Sequence, residues 1–299
     1  MFFRTDLALE LREQIGNNIE GVQYSNEQIG NTKINRMQII NNSASHKIGK
    51  PIGKYVTIEV PALTDHFDAT DERISILSDE IKKFIPAEGL VLVAGLGNLN
   101  ITPDALGPKC IHNVLATRHI SGEIAKSTGL EKLRSVAAVA PGVLGQTGIE
   151  AKEILHSIIK QINPCCMIVI DALASRSLNR LGCTIQINDS GISPGSGIGN
   201  KRPLISKDNL GIPVIGIGVP TVVDADTLVA DLLSLNENKF FNQQTLKQKT
   251  SPRGETMIVT PKEIDILISR AALLIGMAIN CSLHPDFSPD DLYSYILIL

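Results

Sequence analysis

The chain of 299 residues contains no tryptophan, and aromatic residues make up only 4% of it. A hydrophobic core must therefore be built from Ile, Leu, Val and Ala, and the hydrophobic content of 43% is sufficient for one. This content excludes a wholly disordered chain. The 31 acidic residues nearly balance the 28 basic ones, so we expect no direct binding of nucleic acid by charge.

The sequence also lacks the spacings of common cysteine and histidine sites. Its five cysteines include no C-x-x-C pair, which argues against a disulfide framework and a zinc finger. The N-terminus has no apolar segment of signal-peptide length, and the longest apolar stretch, residues 271–279, is too short to span a bilayer. We therefore expect a soluble, cytoplasmic protein that does not bind membranes.

Apolar runs alternate with helical patterns in the middle of the chain. Four runs predict buried strands, at residues 91–95, 136–140, 167–171 and 213–218. Three segments have the spacing of helices, at residues 73–85, 151–162 and 261–279. Thr260 is the expected N-cap of the last helix. This order predicts an α/β fold with three layers, in which helices cover both faces of a mostly parallel sheet.

The polar residues near the N-terminus are expected to add antiparallel strands at one edge of that sheet. Residues 1–60 would supply these strands, and residues 88–280 would form the core of a single domain spanning residues 1–299. The polar segment 234–256 is predicted to be a surface excursion.

Two aspartates follow predicted strands, at the sheet edge where α/β proteins bind their ligands. Asp104 lies in the loop after the first apolar run, and Asp171 directly ends the third. Two carboxyl groups in one crevice share a proton, because the negative charge on one makes ionisation of the other unfavourable. Such a pair can act as general acid and general base. The competing interpretation is that each aspartate only caps a helix.

Other polar residues are candidates for supporting roles. Asn98, Lys109 and Arg176 are near the aspartates in sequence and are candidates for holding a substrate or tuning the pair. The motif at residues 191–195 matches G-x-S-x-G, but Pro194 lacks the N–H that an oxyanion hole needs, which excludes a serine hydrolase. In the glycine-rich loop that follows, Lys201 and Arg202 are suited to hold an extended peptide or an acidic group.

Two alternative functions stay open at this point. A metal ion bound by Asp104, Asp171 and a histidine would make the protein a metal-dependent endopeptidase, although no paired ligand spacing occurs. The Gly95-x-Gly97 pair would suit a non-enzymatic nucleotide-binding module, but Asn100 stands where the third glycine of that fingerprint belongs.

Several segments, in the same order along the chain, resemble the germination protease family of spore-forming bacteria. They include Arg4-Thr-Asp-Leu, Thr-Pro-Asp104-Ala-Leu-Gly and Ile-Asp171-Ala-Leu-Ala. The matching segments are residues 4–10, 53–59, 95–109, 141–150, 170–176, 189–202 and 218–225.

This resemblance implies a specific function. Members of the family degrade the small acid-soluble proteins that coat spore DNA, early in germination and in the spore core. They are atypical aspartic peptidases with two essential aspartates, no required metal or cofactor, and a homotetrameric assembly. Their fold is similar to that of hydrogenase-maturation endopeptidases. The two aspartates carry over onto Asp104 and Asp171.

The sequence departs from the family in two places. Relatives are made as zymogens whose short N-terminal segment, before the Arg-Thr-Asp-Leu motif, is removed by self-cleavage. Only three residues precede Arg4 here, so we expect activation control that is reduced, located elsewhere or dependent on a different processed segment. The region 232–256 is shorter than the insertion of many relatives, which should affect the surface or the assembly rather than the chemistry.

Overall fold

The computed structural model describes residues 4–298 except 17, 67, 69, 121–122, 129, 196–201, 235–249, 252–254 and 256. Within these residues, one sheet has the strand order β1-β2-β3-β7-β8-β6-β4-β5, with β9 beside β8. The strands are β1 (Val22–Ile29), β2 (Thr32–Ile39), β3 (Gly53–Glu59), β4 (Val91–Gly95), β5 (Val136–Val139), β6 (Cys166–Ser175), β7 (Thr184–Asn188), β8 (Val214–Asp224) and β9 (Ile258–Val259).

The centre of the sheet is parallel and its N-terminal extension is antiparallel. Strands β5, β4, β6 and β8 run parallel to one another, and β7, β3, β2 and β1 continue the sheet with antiparallel pairings. The predicted α/β fold, with a parallel central sheet and antiparallel edge strands, is confirmed. The sequence patterns missed β7, which joins the two parts of the sheet.

Helices cover both faces of the sheet. They are α1 (Ala8–Ile15), α2 (Asn42–Ile48), α3 (Glu72–Lys82), α4 (Leu106–Ile111), α5 (Glu123–Thr128), α6 (Leu144–Thr147), α7 (Ala151–Ile162), α8 (Lys207–Leu210), α9 (Ala225–Ser234), α10 (Ile264–Leu283) and α11 (Pro289–Ile298). Short 3-10 helices occur at Thr102–Asp104 and Leu178–Arg180.

Strand β4 shows why both faces are buried. Val91 and Val93 belong to the larger core, which includes residues of α3, α4 and α10. Leu92, between them, belongs to the core that includes residues of α7 and α8 on the opposite face. Because successive side chains of a strand point to opposite faces, an uninterrupted apolar run is required when both faces are covered.

The long helix α10 differs from its prediction in two respects. It begins at Ile264, after Glu263, so Thr260 is not its N-cap. Thr260 instead donates its hydroxyl to the carbonyl of Thr221 on β8. The helix has 20 residues, and by length and composition alone it could cross a membrane, but 78% of its apolar window is buried inside the protein. Such burial on most sides is typical of a core helix.

Two predictions about chain organisation stay predictions. The described residues form one continuous sheet from β1 to β9, but the single domain over residues 1–299 has no independent test. The predicted surface excursion at 234–256 lies mostly outside the described residues.

Candidate functional site

A cleft opens where the central parallel strands end, as expected for an α/β sheet. Its volume is about 440 Å³. Apolar side chains form much of the wall, among them Ile101, Leu144 and Ile258. Asp6, Asp104, Asp171 and Glu150 also line the cleft, and the cationic residues among its described lining are Lys152 and Arg202. The predicted aspartate pair therefore shares one cleft.

Asp104 is positioned by the tight turn after β4. It is the last residue of the 3-10 helix Thr102–Asp104, and its Oδ2 accepts a hydrogen bond of 2.8 Å from the backbone N–H of Asn98. Gly97 has a φ of +116°, and a Cβ there would lie 2.0 Å from the carbonyl oxygen of Asp104. A glycine is required at this position, because any side chain would push the turn away from Asp104.

Close backbone packing also explains the other glycine of the Gly95-x-Gly97 pair. A Cβ on Gly95 would lie 2.1 Å from the carbonyl oxygen of Gly107, in the first turn of α4. A Cβ on Gly107 would lie 2.2 Å from the carbonyl oxygen of Leu96. These glycines therefore bring α4 against β4, a role that needs no bound nucleotide.

Asp171 lies within a strand rather than at its end. It is the sixth of ten residues in β6 and pairs in register with Gly218 of β8. The predicted strand end was wrong, because β8 continues alongside and keeps β6 paired as far as Ser175. The Asp171 side chain is buried, and its Oδ1 accepts a hydrogen bond of 3.0 Å from the N–H of Ala172.

The competing interpretation, that both aspartates are helix caps, is wrong. Helix α4 begins after Ala105, and no side chain caps its N-terminus. Asp171 is followed by further residues of β6 rather than by a helix. Neither carboxyl group is therefore explained by stabilisation of a helix end.

The environment of the pair favours retention of a proton. Burial raises the pKa of Asp171 well above its usual value, and the negative charges of Asp104 and Asp6 raise it further. Burial also raises the pKa of Asp104, although the hydrogen bond from Asn98 opposes this shift. Because the two carboxyls interact, they titrate as one unit. The site can therefore hold one proton beside one negative charge.

Asp6 is a cleft residue that the pattern of strands and loops did not reveal. It precedes α1 and pairs with Ala174 of β6, since its N–H donates to the Ala174 carbonyl and its Oδ2 accepts from the Ala174 N–H, both at 2.9 Å. The sequence signal for Asp6 is the Arg4-Thr-Asp-Leu motif, which is part of the family resemblance and not of any strand or helix pattern. Local periodicity gave no reason to place an N-terminal residue beside β6.

Asn98 and Arg202, two of the candidate supporting residues, line the cleft. The side-chain oxygen of Asn98 accepts a hydrogen bond of 2.7 Å from Gln146. Arg202 forms an ion pair of 3.3 Å with Glu150, which also lines the cleft. Lys201 lies outside the described residues.

The structure does not bring Lys109 or Arg176 to the cleft, which corrects their predicted supporting roles. Lys109 lies on α4 and donates to the hydroxyl of Ser269 on α10 at 3.2 Å. Arg176 follows the end of β6 and binds Asp231 of α9, with its Nε 2.6 Å from the carboxylate. Nearness in sequence was misleading, because the helix and the strand carry these residues away from the aspartates.

The metal alternative depends on a cluster of suitable ligands. Among the residues that the structure describes, no group of three or more His, Cys, Asp or Glu side chains is arranged to hold a metal ion. Among the described residues that line the cleft there is no histidine, and the aspartates there are not part of such a group.

Comparisons with known proteins show which family this chain matches. The family model described as germination protease matches residues 5–248. The germination protease of Caldanaerobacter subterraneus subsp. tengcongensis is 42% identical, over 97% of this chain and 96% of that protein. Those of Clostridium perfringens and Bacillus cereus are 39% and 35% identical, over 98% of this chain in each case and 98% and 96% of the relatives.

A solved structure was also matched. It is the [NiFe] hydrogenase maturation protease HycI from Thermococcus kodakarensis, at 16% identity and a TM-score of 0.39. The match covers 68% of this chain and 98% of that one.

Proposed function

The chain belongs to the germination protease family and is a peptidase, and on that premise we propose that it is an aspartic endopeptidase that degrades small acid-soluble spore proteins. The observation that carries the mechanism is the shared cleft of Asp104 and Asp171, with the pKa of both carboxyls raised. The proposed substrate rests on the family resemblance, because the cleft geometry by itself selects no particular protein.

In the proposed mechanism, the two carboxyls have different roles. Asp104 is the base, because the Asn98 N–H stabilises its ionised form. Asp171 carries the proton, because it is the more deeply buried and has two negative neighbours. Asp104 takes a proton from water, whose oxygen bonds to the scissile carbonyl carbon, while Asp171 gives its proton to the carbonyl oxygen. Collapse of the tetrahedral intermediate breaks the C–N bond: one of its two hydroxyls returns a proton to Asp171 as the C=O bond re-forms, and the amine leaves with the proton held by Asp104.

We further propose that the N-terminal segment is a substrate of the same site. Asp6 lines the cleft and its charge acts on Asp171, which supports the zymogen step that the resemblance implies. One of the two peptide bonds of Asp6 would be cut. Incubation of the purified protein should then release a short N-terminal peptide in the intact mass spectrum, and the Asp171→Asn variant should stay uncut.

Further properties are proposed from the resemblance and from the composition of the chain. The protein would be a homotetramer, would act in the cytoplasm of the spore, and would require neither metal nor cofactor. It would bind its protein substrate without direct contact to nucleic acid or membrane. Light scattering on a sizing column tests the tetramer, and cleavage in the presence of EDTA tests the metal requirement.

The central experiment is an intact-mass time course with a purified small acid-soluble spore protein, with EDTA present. Wild type is compared with Asp104→Asn, Asp171→Asn and the control Asp189→Asn. Asp189 also accepts a backbone hydrogen bond, from Lys54 at 2.7 Å, but does not line the cleft. We expect cleavage by wild type and the control only. Loss of cleavage with EDTA would favour the metal-dependent alternative, and cleavage by either cleft variant would refute the aspartate mechanism.

A further inference from the structure

Strand β8 contains one more residue than its partner at the edge of the cleft. Leu173 of β6 pairs with Pro220, whereas the next residue, Ala174, pairs with Val222, so Thr221 is the extra residue of a β-bulge. Bulges redirect side chains and are frequent beside active sites. Thr221 lines the cleft but is itself fully buried.

The hydroxyl of Thr221 connects this bulge to the turn that carries Asp104. Its Oγ1 donates a hydrogen bond of 2.8 Å to the carbonyl oxygen of Pro103. Pro103 immediately precedes Asp104 in the 3-10 helix. The carbonyl of Thr221 accepts a hydrogen bond of 2.9 Å from Thr260, which holds the bulge from the other side.

We propose that Thr221 is a positioning residue for Asp104, which sets the distance and direction of its carboxyl group relative to Asp171. Asp171 lies on β6, and β6 and β8 are paired on either side of the bulge. The hydrogen bond from Thr221 to Pro103 therefore ties the Asp104 turn to the strand pair that carries the other carboxyl. This inference rests on the proposed function, because it assigns a catalytic value to the geometry of the aspartate pair.

The physical basis is the steep dependence of rate on geometry. A displacement of about 1 Å at reacting groups costs about 100-fold in rate. Two hydrogen bonds hold Asp104 to other residues of its own turn. Its N–H donates to the Ile101 carbonyl, and its Oδ2 accepts from the Asn98 N–H. Both move together with the turn, so they do not fix its position relative to the sheet. The start of the turn is tied to β6 by the hydrogen bond from the Leu96 N–H to the Ile170 carbonyl. The contact of Thr221 with Pro103 adds a constraint from β8 next to Asp104 itself.

Three substitutions separate positioning from general stability. Thr221→Val removes the hydroxyl and keeps the side-chain shape, whereas Thr221→Ser keeps the hydroxyl. Thr117→Val is the control, because Thr117 is also buried and its Oγ1 donates to a backbone carbonyl, that of Arg134, and in addition accepts from the N–H of Val136. Thr117 does not line the cleft, so removal of its hydroxyl group should lower stability without a specific effect on catalysis.

We expect kcat of Thr221→Val to fall at least tenfold, which corresponds to about 1.4 kcal/mol, with little change in KM. Thr221→Ser and Thr117→Val should keep kcat close to that of wild type. A second readout, independent of activity, is the titration of the Asp104 carboxyl followed by carbon NMR. In Thr221→Val the titration of Asp104 should shift, because a displaced turn changes the distance of its carboxyl from Asp171, whereas the hydrogen bond from Asn98 moves with the turn.

The two readouts distinguish the possible failures. If wild type cleaves and Thr221→Val matches it in both kcat and the Asp104 titration, Thr221 is structural and the inference is overturned. Equal kcat losses in Thr221→Val and Thr117→Val would also overturn it. If wild type does not cleave but only Thr221→Val changes the Asp104 titration, the proposed function fails while the positioning of Asp104 is supported.

Discussion

Replacement of Gly97 by alanine tests how closely the turn after β4 must approach Asp104. The backbone of Gly97 has a φ of +116°, a region that is nearly reserved for glycine. An alanine there carries a strain of about 1–3 kcal/mol. Its Cβ would also lie 2.0 Å from the Asp104 carbonyl oxygen, whereas ordinary contacts begin at 3.4 Å. The two groups must therefore separate by roughly 1.4 Å, the difference between these distances.

This separation displaces either the turn or Asp104 itself. Because an error of about 1 Å costs about 100-fold in rate, we expect kcat of Gly97→Ala to fall by about two orders of magnitude, or about 2.7 kcal/mol in the activation free energy. Initial rates of substrate cleavage measure this effect. Urea unfolding of the same preparation measures the accompanying loss of stability.

Gly16→Ala is the matched control for backbone strain. Gly16 has nearly the same φ, +119°, but a Cβ there would meet no atom within 4 Å. It should lose about 1–3 kcal/mol of stability and keep the kcat of wild type. A Gly97→Ala variant with the kcat of wild type would refute the claim that this glycine places Asp104. An equal loss of kcat in Gly97→Ala and Gly16→Ala would also refute it, because backbone strain alone would then explain the result.

Two further predictions concern the pH dependence of stability. Because folding raises the pKa of Asp171 above 3.8, its protonated form favours the folded state at low pH, and this contribution is lost as the pH rises. Asp171→Asn should therefore melt increasingly above wild type from pH 4 to pH 8, and a constant difference would contradict this. For Glu80, burial would raise the pKa, but hydrogen bonds from Arg36 and Lys83 outweigh it and lower the pKa. Glu80→Gln should thus lose about 1–3 kcal/mol at pH 7, and this deficit should shrink below pH 4.5 in urea titrations rather than persist.

The parts of the fold that the sequence predicted are those in which local pattern and burial agree. The four apolar runs correspond to the four parallel strands, because a strand covered on both faces must be apolar at successive positions, as Val91, Leu92 and Val93 show. The helix at 151–162 was predicted with its observed bounds, because its apolar spacing has the helical period. Strand β7 was missed, since its burial depends on partners distant in sequence.

The prediction that the two aspartates share a site was based on sheet topology and not on their sequence neighbours. The carboxyl ends of parallel strands meet at one edge of the sheet, so Asp104 and Asp171 were expected to face one cleft. Both line it, although Asp171 lies within β6 and not at its end. A different argument, nearness in sequence alone, was used for Lys109 and Arg176, and it failed because neither residue lines the cleft. A few residues along a helix or strand are enough to carry a side chain to another surface.

The sequence by itself determined the order of the four parallel strands and of three helices, and it selected the two acidic residues, because these follow from local periodicity and from the rules of strand connection. Only the tertiary structure decided which other groups surround those residues. Asp6 reaches the cleft across more than 160 positions of chain through its pairing with Ala174, and Thr221 reaches Pro103 through a bulge. Such contacts depend on register and on long-range packing, which leave no periodic signal in the residues that make them.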